Sequence, residues 1–385
     1  MKKVLILGVA PVQMDAILVL KELGFETFAC AMAKDGPGAD AADHFHIIDI
    51  LDIEKVMEHI GKYDIDAVYS VGSDLAMPIA SKISEKLLLP YFVSSKTATI
   101  CNNKERMRQA LGRSFEGNIP FQVFEDEKIR PDLKMPFIMK PTDSQGQRGI
   151  YLVNSIEEYR ENFQTVKEHS RSGKVIVEKY VEGPEISVNL YMIDGKLSFM
   201  FVSDRETWPQ YLGLVNKHVV PSKTMDREKL KVLEKMVLEA CHRIGIMNGP
   251  AYFQVKMENG RPYIIEVTPR LDGCHMWKLL TYHTGINILK LTFEHLLNGD
   301  TGELDKRKEI CFGHELEFFC QKPNTIMDRD RFVVPKDGLE YYFYYESGDE
   351  IRPVNGKYDK VGYYIKSQNV PGLQKQQAGR EYSFR

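Results

Sequence analysis

Paired cysteines, net charge and long apolar runs are all scarce in this 385-residue sequence. Its six cysteines, Cys30, Cys101, Cys241, Cys274, Cys311 and Cys320, contain no Cys-x-x-Cys pair and are widely scattered. That excludes a zinc ribbon or a disulfide framework and suits a reducing compartment, with the thiols as buried small hydrophobes. Lys+Arg at 51 against Asp+Glu at 54 leaves a net charge of -3, which argues against a dedicated nucleic-acid binder. No apolar run approaches the ~20 residues that span a bilayer. The N-terminal MKKVLILGVAPVQMD superficially resembles a leader, but Gly8 and Pro11 break its apolar run and Gln13 and Asp15 follow at once. A buried first strand is expected there, in a cytoplasmic protein with neither membrane nor nucleic-acid partner. What is present is enough to pack: 43% hydrophobic and 10% aromatic residues support two or three domains.

Val4–Leu7 is an apolar run ending at Gly8, as expected of a parallel strand buried on both faces. Residues 13–23 then carry apolar side chains at helical spacing, closed by Gly24. Strands at 27–31, 46–48 and 67–71 alternate with helices at 53–60 and 75–86, giving an open Rossmann-like α/β unit over residues 1–100. The first turn reads Gly8-Val9-Ala10-Pro11 and not G-x-G-x-x-G, so a dinucleotide site is not expected. Glycines and prolines between 112 and 136 mark a change of organisation. Strands at 137–140, 150–153, 175–179, 186–193 and 197–202 follow, then a helix at 227–244 and strands at 251–258 and 262–267. An α+β domain over 101–305 and a small β-rich subdomain over 306–385 complete the reading.

Three segments carry chemistry. Lys140 ends an apolar strand and precedes Thr142-Asp143-Ser144-Gln145-Gly146-Gln147-Arg148-Gly149, a loop whose backbone N–H groups can cradle phosphate oxygens. Taken alone, a surface turn with a solvated lysine is the favoured reading, since Gly-rich loops are common. Glu178-Lys179-Tyr180-Val181-Glu182-Gly183-Pro184-Glu185 is a strand, a hinge and a second strand opened by a carboxylate. Its plainer reading is an edge blunted by charge. Gln254 and Glu266 fall on two strands joined at Asn259-Gly260, with Thr268 on the face of Glu266 and Arg270 just beyond. Oxygen ligands on adjacent strands suit Mg2+; a surface hairpin is the alternative.

In this order the three segments resemble the ATP-grasp superfamily over roughly residues 1 to 300, including PGADAAD at 37–43 and GSD at 72–74 in the preceding α/β domain. The resemblance implies ATP and Mg2+. Lys104 and Lys140 would contact the nucleotide phosphates, and the loop carrying Ser144, Gly146 and Gly149 would close over them. Glu178, Lys179 and Val181 would lie at the adenine hinge and Glu185 at the ribose. Gln254 and Glu266 would hold Mg2+, with Thr268 where the family commonly has asparagine; Glu258 is a weaker substitute. Arg270 would stabilise the anionic intermediate. His275 and Trp277, just behind it, are candidates for the substrate pocket, whereas His218 reads as structural.

The implied function is a carboxylate–amine ligase of amino-acid type, acting through an acyl phosphate on small-molecule acid and amine substrates. A homodimer is admitted. Two alternatives stay open: a bicarbonate-activating carboxylase of the purine-biosynthesis type, and an ATP-binding regulatory protein without turnover.

Overall fold

The computed structural model describes residues 1–368 except 145, 147, 212, 311 and 355, so Gln145 and Gln147 of the expected phosphate loop and Cys311 lie outside the described residues. The opening apolar run is strand β1 (Lys3–Leu7), buried from Val4 onward. It is followed by α1 (Pro11–Glu22), β2 (Glu26–Ala31), α2 (Gly38–Ala41), β3 (His44–Ile47), α3 (Ile53–Tyr63), β4 (Ala67–Tyr69) and α4 (Ala76–Leu87). The strands form a parallel sheet in the order β3-β2-β1-β4. Such a sheet needs cover on both faces, and β1 accordingly contributes to two separate cores: Val4 and Ile6 on one side, Leu5 and Leu7 on the other.

Helices α5 (Ser95–Asn102) and α6 (Lys104–Leu111) lead out of this unit, each opened by a side-chain cap, from Ser94 and Asn103. A second sheet, antiparallel, runs in the order β5-β8-β6-β7 from β5 (Phe121–Phe124), β6 (Phe137–Pro141), β7 (Tyr151–Val153) and β8 (Val175–Lys179). Helix α7 (Ile156–Glu168) packs Tyr159, Phe163 and Val166 onto it. The sequence reading passes over α7, although Ser155 caps its N-terminus.

The third sheet has eight strands. They are β9 (Glu185–Ile193), β10 (Lys196–Thr207), β11 (Val215–Val220), β12 (Gly249–Glu258), β13 (Arg261–Thr268), β14 (Gly313–Gln321), β15 (Gly338–Phe343) and β16 (Asp359–Gln368). Their order is β13-β12-β9-β10-β11-β14-β16-β15, so the short C-terminal strands extend the sheet built by the preceding ones. They also bring a small core of their own around Phe319, Met327, Ile351 and Val361. Helices α8 (Arg227–Ile244), α9 (Met276–Thr284) and α10 (Ile288–Asn298) complete the architecture. The hinge between β8 and β9 joins the two antiparallel sheets and is pinned where the Met257 N–H donates to Pro184 O (3.0 Å). Gly183 has to be glycine here: φ is +131° and a Cβ would lie 2.0 Å from Met257 O. Among the described residues no helix is long and apolar enough to cross a membrane.

Candidate active site

All three sheets contribute to one cavity of about 1390 Å³. Lys104 enters from the first residue of α6, and its ammonium donates to Ser144 O (2.6 Å), tying the helix to the expected phosphate loop. Burial lowers the Lys104 pKa, partly countered by Glu266. Lys140 projects from β6 and meets Glu178 Oε2 at 2.7 Å. Arg108, fully buried on α6, approaches the other carboxylate oxygen at 2.9 Å. Burial alone would raise the Glu178 carboxyl, but these two cations hold it down to about 2. The sequence reading places Glu178 against adenine; here its carboxylate is engaged by two cations in the floor of the cavity.

Ser144, Gly146, Lys179 and Val181 also line the cavity, whereas Gly149 is set back, under His169 and Pro141. Val181 O accepts from Lys256 Nζ (3.2 Å), and Lys179 pairs with Glu258. Glu258 is thus engaged by the hinge, where it also accepts from the Glu182 N–H (3.1 Å). It keeps to the Gln254 face of β12, because the extra residue at the β12–β13 register shift is Ile265 on β13.

Gln254 and Glu266 are register partners, and Thr268 stands beyond them on β13 with its hydroxyl buried and, among the described residues, without a hydrogen-bond partner. Gln254 Nε2 donates to Glu185 Oε2 (2.9 Å), which turns the amide oxygen toward the remaining space. An amide oxygen, a carboxylate and an orphaned hydroxyl fit a hard cation such as Mg2+, with Glu266 its one formal charge. Glu185 is itself held by Arg205, whose other arm donates to Gly213 O (3.0 Å).

Arg270 is fixed by Asp74: Nε lies 2.9 Å and Nη2 2.5 Å from Oδ1. Its exposure is only 6%. Beside it Asp272 lines the cavity with Oδ2 buried and, among the described residues, unpartnered, and burial raises its pKa. Lys360, from β16, faces the same wall and donates to Cys274 Sγ (3.1 Å).

His275 lines the cavity, but Trp277 does not. The Trp277 ring is buried at the start of α9, where Nε1 donates to Asp15 Oδ2 (3.1 Å). The expected aromatic contribution comes instead from Tyr342, Tyr344 and Tyr345. His218 is fully buried, with Nδ1 bonded to the Ser203 hydroxyl (3.2 Å) and a ring nitrogen within 4.8 Å of Asp272 and Cys274 ligand atoms. Arg108, Asp74, Arg205, Tyr344 and Lys360 escaped the sequence reading; only the Gly-Ser-Asp at 72–74 carried any signal.

Lys104, Lys140, Gln254, Glu266 and Arg270 thus line one cavity. Residues 133–277 match the family profile of the ATP-grasp domain. Among curated relatives, dapdiamide A synthase of Enterobacter agglomerans is 23% identical over 258 residues, covering 62% of this chain and 58% of its own length. Alanine–anticapsin ligase of Bacillus amyloliquefaciens is 23% identical over 313 residues, covering 72% of this chain and 65% of its own. The chain thus aligns with less than two thirds of either relative. The crystal structure of L-amino acid ligase from Bacillus licheniformis superposes with a TM-score of 0.82 at 19% identity, covering 96% of this chain and 94% of that one.

Proposed function

We propose that the chain is an ATP-dependent carboxylate–amine ligase of amino-acid type that works through an acyl phosphate. The observation that carries this is convergence: Lys104, Lys140, the Gln254–Glu266 pair and Arg270 line one cavity. Support also comes from the relatives, two of which are named as ligase or synthase.

In this reading the acid's carboxylate attacks the terminal phosphorus of ATP, ADP leaves, and an amine then displaces phosphate from the acyl carbon. Lys104 and Lys140 bind phosphate oxygens, while Arg270, held by Asp74, faces the negative charge that develops at the reacting carboxyl group. Gln254, Glu266 and Thr268 would hold Mg2+, which neutralises phosphate charge when bound. The loop at 144–149 excludes water, against which an acyl phosphate does not last.

The test uses MgATP, a panel of amino and hydroxy acids, and hydroxylamine, which captures acyl phosphates as hydroxamates. Some acid should give a hydroxamate together with ADP, and Glu266→Gln should lower that rate by ~10²-fold, as for loss of one transition-state stabiliser. ADP release that depends on bicarbonate alone, with no hydroxamate from any acid, would establish the carboxylase instead. ATP binding without any turnover would establish the regulatory protein.

A further inference from the structure

The acceptor of such a ligase reaches neutral solution as an ammonium, and an ammonium has no lone pair with which to attack. Behind Arg270 the chain assembles a set of groups suited to that problem. His275 sits at φ +54°, an unusual backbone conformation for a non-glycine residue, immediately before α9. Its Nδ1 lies 2.8 Å from Asp15 Oδ2, on α1 of the first sheet's unit, and its Nε2 lies 3.0 Å from the hydroxyl of Tyr344, just beyond β15. Three distant parts of the chain meet at one imidazole.

The surroundings fix the direction of these bonds. Trp277 Nε1 can only donate, and it donates to Asp15 Oδ2; the Lys278 ammonium meets Oδ1 at 3.5 Å. Asp15 is therefore an acceptor, so the His275 proton belongs on Nδ1 and the Nε2 lone pair accepts the Tyr344 hydroxyl. The Tyr363 ring stacks on the imidazole at 4.5 Å. Lys278 and Tyr363 are in turn held by Glu340 on β15, at 2.6 and 2.8 Å. Other groups facing His275 are Lys360 of β16 and Cys274 beside it, so Asp15 is the carboxylate in direct contact. His275 and Tyr344 line the same cavity as Arg270.

We propose that Tyr344, His275 and Asp15 form a proton relay that deprotonates the acceptor ammonium. This rests on the ligase reading above. An N–H bond of the ammonium breaks and its proton passes to the Tyr344 oxygen, as the tyrosine's own proton moves to His275 Nε2. The imidazolium so formed is stabilised by Asp15. The freed lone pair forms the C–N bond, and the acyl C–O bond breaks with its electron pair leaving on phosphate. A second proton, lost from the new amide nitrogen, goes to the departing phosphate, and the relay returns its proton to solvent. Tyr344 is the group that touches the amine; His275 and Asp15 act through it.

Hydroxylamine separates this role from a structural one, because it is already a free base at neutral pH and attacks acyl phosphates without help. The measurement is the ratio of amide to hydroxamate formed from one activated acid, with a common L-α-amino acid as acceptor. Tyr344→Phe and His275→Asn should each lower that ratio by ~10²-fold at pH 7, the lower end of what general-base catalysis contributes. The deficit should shrink as pH rises toward the acceptor's own pKa. A ratio unchanged from wild type in both variants, or a deficit independent of pH, overturns the relay. Wild-type protein that yields no hydroxamate overturns the ligase reading itself, and the relay with it.

Discussion

At the scale of single residues, Glu178 shows how a site is made and why parts of it stay hidden in a sequence. Its carboxylate, 2% exposed, lies between Arg108 and Lys140. Removing one partner from a buried ion set leaves uncompensated charge, which costs about 3–5 kcal/mol. Glu178→Gln should lose stability on that scale in urea titrations, and a loss near zero would mean the three groups are not coupled. The sign with pH follows from the carboxyl's position at about 2 against an ordinary 4.5. Its stabilising contribution is complete above pH 4.5 and drains as pH falls toward 2. Wild-type urea midpoints should therefore fall more steeply over that window than those of Glu178→Gln. Lys140, Glu266 and Arg270 were legible because each ends or follows a short apolar strand, a local pattern. Their partners were not, because only tertiary structure selects them: Asp74 lies 196 positions from Arg270.

Secondary elements were readable to the extent that their ends are signalled locally. Helix α8 runs from Arg227 to Ile244 as its sequence indicates, since Asp226 caps one end and Gly245 adopts the left-handed conformation at the other. Which sheet a strand joins is not a local property, so the merging of β14–β16 with β9–β13 was out of reach. Neither was the packing of β3 on α3 visible, where the His46 and His59 rings lie 4.3 Å apart among Phe28 and Tyr63. Burial, aided by His46 and Lys62, pushes His59 down from 6.5 to about 4. A histidine whose folded pKa is depressed favours folding fully above pH 6.5, and that contribution is lost as pH falls toward 4. Replacing the ring by an uncharged one of similar shape removes the titration. His59→Phe should flatten the decline in Tm between pH 6.5 and 4; an unchanged slope would assign that decline to other groups.

On the scale of the whole molecule, the cavity belongs to no single sheet. Asp74 comes from the parallel unit, as does Asp15 behind His275; Lys140 and Glu178 come from the four-stranded sheet, and Arg205, Glu266 and Lys360 from the eight-stranded one. The C-terminal wall, carrying Tyr342 to Glu346, is paired to β16 and is fastened to α9 through Glu340, which receives Lys278 and Tyr282. That fastening bears on stoichiometry. In the proposed reaction an activated acid waiting for its amine has water as its competitor, and a loosened wall admits water. Under the proposed ligase reading, one ADP should be released for each amide formed. Glu340→Ala should raise that figure well above one while ADP release itself continues, so that the variant consumes nucleotide and returns the acid unchanged. A variant that slows but keeps the one-to-one ratio would show that the seal lies elsewhere, and the loop at 144–149 would then hold the reaction to its accounts alone.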